Sequence, residues 1–224
     1  DQLDTDGISM RQAMQTAGLP ATLDAIATCR RDPAQYLGFV EVHIEQGPVL
    51  NELNLPLGVV TSINGSVRYV GEVTGQASHA GTTPMARRRD AACAVAELAL
   101  YLEARAGQDA QHGEGVVATM GQLNVPNGSI NVVPGACRFS LDIRAPNDAQ
   151  RHAVEADVLQ QLQAICTRRG VSFSLEETMR ASAAPSAPAL QARWEQAVAA
   201  TGLPVHRMPS GAGHDAMKLH DVMP

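Results

Sequence analysis

A chain of 224 residues is long enough for one large domain or two modest ones. Hydrophobic residues make up 45%, charged residues 18%, and the formal charge is −6, an ordinary and mildly acidic composition. That balance argues against a nucleic-acid partner, which needs a basic face, and no apolar run is long enough to make the membrane a partner.

Aromatic residues are only 3%, so the core has to be built from Ala, Val, Leu and Ile. The four cysteines, Cys29, Cys93, Cys137 and Cys166, are widely spaced and form no CxxC pair. They are expected to be reduced and mostly buried, which points to a reducing, cytoplasmic setting.

In chain order, Asp4-Thr5-Asp6-Gly7 reads as a solvated turn, since a third acidic position and the closing Glu of a calcium loop are missing. Ser9 and Gln12 fit a capping box for a helix running to about Ala17, stopped by Gly18 and Pro20. A second helix is expected from Leu23 to Arg31. Glu41 to Pro48 then begins as a strand, with Val40, Val42 and Ile44 on one face and Glu41, His43 and Glu45 on the other. Pro48 is placed to open a short helix. Leu57 to Ile63 is a second strand, and Asn64-Gly65 a turn.

From there the periodicity switches repeatedly. Strand 66–74 is followed by a small-residue loop, a helix from about Arg88 to Ala106, and strands at 116–125 and 136–144. A helix capped by Asp148 runs to Arg169, with Gly170 as its stop, and Val171, Phe173 and Leu175 alternate in a last strand. The order β-α-β-β-α-β is the split βαβ, ferredoxin-like unit. The fold class is α/β. Residues 64–180 are expected to be a domain inserted into another, whose two pieces are 1–63 and 181–224. Residues 181–188 read as a linker, Leu190 to Thr201 as a helix, and Val205 to Met208 as a short strand.

Several residues could carry chemistry. His43 sits at the carboxyl end of the first strand, where open α/β sheets place ligands. His79 lies in Gly75-Gln76-Ala77-Ser78-His79-Ala80-Gly81-Thr82-Thr83-Pro84, whose small residues let a backbone approach a ligand closely. The plain alternative is a surface loop histidine. Arg87, Arg88 and Arg89 read as a solvated or Asp90-paired helix start. Arg68 and Arg144 share the polar side of one sheet, and a guanidinium fork matches a carboxylate. The plain alternative is an ion pair with Asp142 or Glu72. Asn131 is either a turn former or an amide donor toward an oxyanion. Gly211-Ala212-Gly213 is a turn that can present N–H groups to an anion. His112, His152, His206 and His220 have no motif around them. No GxSxG occurs, so serine-type nucleophilic catalysis has no support.

Taken in order, these stretches resemble one family. They are Val42-His43-Ile44-Glu45-Gln46-Gly47-Pro48, Arg68-Tyr69, His79-Ala80-Gly81-Thr82-Thr83-Pro84-Met85 with Arg88-Arg89-Asp90, Asn131-Val132-Val133-Pro134-Gly135, Asp142-Ile143-Arg144, and Ser210-Gly211-Ala212-Gly213-His214-Asp215-Ala216. The family is that of allantoate amidohydrolases and N-carbamoyl-L-amino-acid hydrolases, relatives of aminoacylase- and carboxypeptidase-like zinc metallopeptidases. The resemblance implies a catalytic α/β domain with two divalent metals, zinc or manganese, interrupted by a ferredoxin-like lid that makes a homodimer. It implies a small-molecule ureido or carbamoyl carboxylate as substrate, cleaved at a C–N bond.

By the same resemblance His43 is a metal ligand and Gln46 a substrate contact. His79 polarises the scissile carbonyl in the partner subunit's site, and Asn131 steadies the oxyanion. Arg68 and Arg144 bind the substrate carboxylate, with Gly213 and His214 assisting. One departure qualifies this: residues 1–40 hold no His and no Glu, whereas the family has a His, an Asp and paired Glu ahead of the position of His43. The last family ligand would lie beyond Pro224. The expectation is a central fragment of a longer enzyme, with its metals absent or incomplete and the chain alone inactive. The competing expectation is a non-catalytic dimerisation or anion-binding module.

Overall fold

The computed structural model describes residues 2–111 and 115–223, and the side chains of 109–111 are outside that description, as is all of His112. The chain divides into two compact units, one of residues up to Phe39 with Met223 and one of residues 40–222.

The first unit carries two short helices. In α1 (Met10–Thr16) the expected capping box is present: Ser9 Oγ accepts the Gln12 N–H at 3.2 Å, and Gln12 Oε1 accepts the Ser9 N–H at 2.8 Å. The Asp4 carboxylate accepts the Asp6 and Ile8 N–H groups, the hallmark of a closed polar turn. The second helix, α2 (Leu23–Ala27), is shorter than expected, because it ends at Thr28 and a 3-10 turn at Pro33–Gln35 follows.

The second unit opens with α3 (Val49–Glu52), then β1 (Val59–Ile63), β2 (Gly65–Thr74) and β3 (Ser78–His79). Helix α4 (Ala91–Gln111) begins later than Arg88, because Asp90 accepts the Cys93 N–H and so caps the helix there. The expected strand 116–125 is two pieces, β4 (Val117–Thr119) and β5 (Leu123–Asn124). After β6 (Val132–Val133) come β7 (Ala136–Ala145) and α5 (Asp148–Arg169). The N-cap of α5 is Asn147 rather than Asp148, and Gly170 (φ 64°) ends it in the left-handed region, which Gly adopts at little cost. The chain finishes with β8 (Ser172–Ala181), β9 (Ala184–Pro185), α6 (Pro188–Ala200), β10 (Arg207–Ser210) and α7 (Ala216–Leu219).

Strands β4, β7, β2 and β8 lie side by side in that order, all antiparallel, with β5 also on β7. Read from the β8 edge and numbered by appearance along the chain, this is 4-1-3-2, the arrangement that the β-α-β-β-α-β periodicity anticipates. One face is covered by α4 and α5. Ala91, Ala94, Val95, Leu98 and Leu102 of α4 and Val154, Val158, Leu162 and Ile165 of α5 follow helical spacing and are fully buried. They meet Val67, Tyr69 and Val73 of β2 and Cys137, Phe139, Leu141 and Ile143 of β7. Each buried Val or Leu contributes about 1.5–3 kcal/mol, so this sandwich dominates the stability of the unit. The other face carries Arg68, Glu72, Arg138, Asp142 and Arg144.

A second sheet is ordered β10-β1-β9, with β1 parallel to β10 and antiparallel to β9. Residues 181–188, expected as a linker, thus include a strand, because Ala184 and Pro185 pair with Ser62 and Ile63. The returning segment that joins the sheets, at 181–183, is tied to α5. The buried Arg151 donates to the Ala181 carbonyl at 2.5 Å and pairs with Asp148 at 2.6 Å, and Asp148 accepts the Ala183 N–H at 3.0 Å.

The cysteines depart from expectation: all four are free, but only Cys137 and Cys166 are buried, and Cys29 and Cys93 are exposed. Among the described residues no helix is long and apolar enough to cross a membrane.

Candidate functional site

The expected strand at 40–45 is not formed. Its alternation is real, but no other strand supplies a ladder to it among the described residues, and Val42 (84% exposed) and Ile44 (73%) are uncovered. A strand exists only where another backbone takes up its N–H and C=O groups, and a side-chain pattern cannot provide that. The segment ends in a sharp local structure. The Glu45 carboxylate accepts the Val49 and Leu50 N–H groups at 2.8 and 2.9 Å, closing the start of α3. Gln46 between them has φ 54°, a left-handed conformation that costs a residue with a Cβ about 1–2 kcal/mol.

His43 is exposed, and its Nδ1 lies 2.6 Å from the Ile44 carbonyl. A carbonyl only accepts, so in the neutral ring Nδ1 carries the proton and Nε2 keeps a free lone pair. That is how a metal-binding imidazole is usually oriented. The His43 ring centroid is 4.1 Å from that of His214, the planes tilted by 36°. His214 Nε2 is 2.6 Å from Ser210 Oγ. Glu41 accepts the Ala216 N–H at 3.0 Å, fixing the start of α7 beside the two rings. Burial holds the pKa of His214 below the usual imidazole range, the neighbouring His43 lowers it further, and Glu41 opposes both.

These residues do not make a metal centre by themselves. Among the described residues no group of three or more His, Cys, Asp or Glu side chains comes together. Known zinc sites use at least three protein ligands. His43 stands without two further such side chains beside it among the described residues.

The arginine pair converges on one carboxylate. Arg144 Nε and Nη2 grip Asp142 at 3.0 and 2.7 Å, a bidentate fork, and Arg68 Nε reaches the same carboxylate at 3.1 Å. The pairing alternative with Asp142 is therefore present, and Glu72 pairs with Arg138 instead. Asp142 lies below the usual carboxylate range: burial alone would raise it, and the Arg144 and Arg68 guanidiniums outweigh that. Arg144 Nη1 donates to the Gly211 carbonyl at 2.9 Å, which links the sheet to the glycine turn. Three of the five Arg144 N–H groups are thus engaged. The Gly213 backbone has no hydrogen bond among the described residues.

His79 and Asn131 are brought together elsewhere. Strands β3 and β6 pair Ser78 with Val133 and His79 with Val132, and the Ala80 N–H donates to the Asn131 carbonyl at 2.8 Å. The Asn131 side chain accepts from the Ser129 hydroxyl at 3.0 Å. His79 Nδ1 accepts the Gly81 N–H at 3.1 Å, so in the neutral ring Nε2 carries the proton and is a donor. Arg88 is not a solvated helix start: it donates to the Ala80 and Thr83 carbonyls at 2.6 and 3.1 Å and clamps the loop. Gly75 permits the loop to leave the sheet, since a Cβ there would lie 2.0 Å from the Arg89 carbonyl oxygen. No hydrogen bond joins this ladder to His43 or Arg144 among the described residues.

Glu41, Ser210, Asp142 and Arg88 are the contacts that sequence reasoning did not assign to the site. Asp142 and Arg144 stand two apart on one strand face, a visible signal, whereas Ser210 and Glu41 are recognisable only from where the backbone brings them.

Comparison with known proteins then decides the family. Over 221 residues the chain is 35% identical to an N-carbamoyl-L-amino acid amidohydrolase of Geobacillus stearothermophilus, covering 99% of this chain and 53% of that protein. The chain belongs to the allantoate amidohydrolase and N-carbamoyl-L-amino-acid hydrolase family. It is also 34% identical to an allantoate deiminase of Arabidopsis thaliana, over 96% of this chain and 46% of that one. A crystal structure of an amidase of the hydantoinase/carbamoylase family from Burkholderia phymatum superposes with a TM-score of 0.86 at 31% identity, over 99% of this chain and 54% of that chain. Residues 61–169 match the family described as a peptidase dimerisation domain. The chain spans about half the length of the curated relatives it matches.

Proposed function

We propose that the chain is the central part of a metal-dependent amidohydrolase that cleaves a C–N bond of a ureido or carbamoyl carboxylate, such as allantoate or an N-carbamoyl-L-amino acid. The observation that carries this reading is His43. Its Nδ1–H is held by the Ile44 carbonyl, which leaves Nε2 oriented as a ligand at the junction of segment 40–46 with the 210–216 turn. The family supports divalent metal use in general. When bound, zinc or manganese would supply an activated water and a Lewis acid. The further ligands belong to parts of the protein outside the described residues.

Four further residues fit roles. Arg144 keeps two N–H groups for a substrate carboxylate, and Arg68 shares its counter-ion. His79, with Nε2–H as a donor, can polarise a carbonyl, with Asn131 beside the ladder; such donors act where charge develops. The match to a dimerisation domain supports a lid spanning residues 64–180 that pairs two subunits, so that His79 would serve the partner's site. Residues 1–63 and 181–224 would belong to the catalytic domain.

A second reading, a dimerising or anion-binding module without catalysis, draws on the absence of a three-ligand group among the described residues. The test is a protein of the relatives' length containing this chain, loaded with zinc or manganese and offered allantoate and a panel of N-carbamoyl amino acids. Ammonia release from one of them supports the amidohydrolase. Turnover of none, with the dimer intact, supports the module.

A further inference from the structure

We propose that Ser210 is a positioning residue that fixes the tautomer of His214, so that His214 presents Nδ1 as a hydrogen-bond acceptor to an N–H group of the substrate. The argument is one of hydrogen-bond balance. Ser210 Oγ lies 2.6 Å from His214 Nε2 and 3.2 Å from the Ala212 carbonyl oxygen. A hydroxyl has one proton to donate and lone pairs to accept with. The Ala212 carbonyl can only accept, so the Ser210 proton belongs there. Ser210 Oγ then accepts from His214, and Nε2 must be the protonated nitrogen. The opposite assignment directs the hydroxyl proton at Nε2. It leaves two oxygens facing each other at 3.2 Å with no proton between them.

The serine is held well enough to impose this choice. Its residue is 8% exposed, and its carbonyl accepts the Asn64 N–H at 2.9 Å at the end of β1. The next carbonyl, of Gly211, is held by Arg144. The turn is thus pinned on both sides of the hydroxyl. Nδ1 of His214 has no hydrogen-bond partner among the described residues, and the ring lies tilted against His43, whose own free nitrogen in the neutral ring is Nε2.

This deepens the amidohydrolase reading and rests on it for the identity of the ligand. A neutral imidazole offering a lone pair is a poor match for a carboxylate and a good one for the N–H of a ureido or carbamoyl group. Arg144 would read the carboxylate end of the substrate, and His214 the nitrogen end.

The test separates the two levels. In the full chain labelled with 15N, long-range proton–nitrogen correlation at pH 8 should show His214 with a protonated, pyrrole-type Nε2 and a pyridine-type Nδ1. Ser210→Ala should move both nitrogens toward the average of two exchanging tautomers, and Ser210→Thr, which keeps the hydroxyl, should restore them. A wild-type His214 protonated on Nδ1, or a tautomer unchanged by Ser210→Ala, overturns the proposal. Neither result bears on whether the longer protein hydrolyses ureido compounds, which the substrate panel decides. In that longer protein, once active, Ser210→Ala should lower turnover about 10- to 100-fold, the usual effect of removing a partner that orients an imidazole. Unchanged turnover with Ser210→Ala overturns the role assigned to His214.

Discussion

The Arg144–Asp142 fork can be weighed directly by a double-mutant cycle. Arg144→Ala removes two donors from Asp142 and one from the Gly211 carbonyl. Hydrogen bonds to charged groups contribute about 1.5–3 kcal/mol when buried, and exposed ion pairs about 0.2–1 kcal/mol. Both side chains are 28% exposed, so the pair lies between these limits, and solvent screening discounts the upper one. Arg68 stays on the carboxylate after the substitution and retains part of the interaction. A coupling of about 1–2 kcal/mol is expected. With a urea dependence of about 2 kcal/mol per molar, Arg144→Ala should lower the unfolding midpoint by about 0.5–1 M. The double variant Arg144→Ala/Asp142→Asn should lose less than the sum of the singles. Effects that add within about 0.3 kcal/mol would show that the fork does not stabilise the protein. In the longer, active protein the same Arg144→Ala should raise KM for carboxylate substrates by a factor matching about 2–5 kcal/mol. An unchanged KM would mean that Asp142 is the whole purpose of Arg144.

Three further outcomes are expected. Burial would raise the pKa of Glu155, but the Arg180 fork and the Tyr69 hydroxyl outweigh it and hold the carboxyl below its usual range. A lowered folded-state pKa stabilises above the unfolded value, about 4.3, and the benefit is lost as pH falls through the folded value. Urea midpoints measured from pH 7 down to 3 should therefore fall at the acid end, and Glu155→Gln should flatten that fall; parallel curves would contradict it. Gly75→Ala places a Cβ 2.0 Å from the Arg89 carbonyl oxygen, where backbone has to move, and should cost about 1–3 kcal/mol and weaken amide protection at Gln76 and Ala80; unaltered exchange there would contradict the close approach. Calorimetric titration of the 224-residue chain with zinc or manganese should show no tight stoichiometric binding, since His43 stands without two further ligands; two tightly bound ions per chain would contradict the ligand count.

Much of the sheet-and-helix unit was legible because its signals are local and periodic. Leu98 and Leu102, or Val154 and Val158, announce a helix face without reference to anything else in the chain, and Cys137, Phe139, Leu141 and Ile143 alternate as a strand must. The failures are those where a partner decides. Residues 40–45 alternate correctly, yet no ladder forms on them. The β3–β6 ladder is two residues long, too short for any period to register, yet it brings Asn131 to His79. The cap of α5 passed from Asp148 to Asn147 because Asp148 is taken by Arg151 and Ala183, a tertiary demand that propensity cannot foresee.

The histidines show a third case, in which short motifs encode more than composition reveals. An imidazole is chemically ambiguous until one nitrogen is assigned, and here each assignment is made within a few residues. His43 is set by the carbonyl of the next residue, His79 by the amide two residues on, and His214 by a hydroxyl four residues back. The three rings consequently differ: an acceptor through Nε2, a donor through Nε2–H, and an acceptor through Nδ1. The proposed metal ligand, carbonyl polariser and N–H acceptor need those three forms and cannot exchange them. Because each choice is made by the adjoining backbone or side chain, the informative unit is a motif of about five residues rather than the histidine. The stretches around His43, His79 and His214 are three of those that resemble the family.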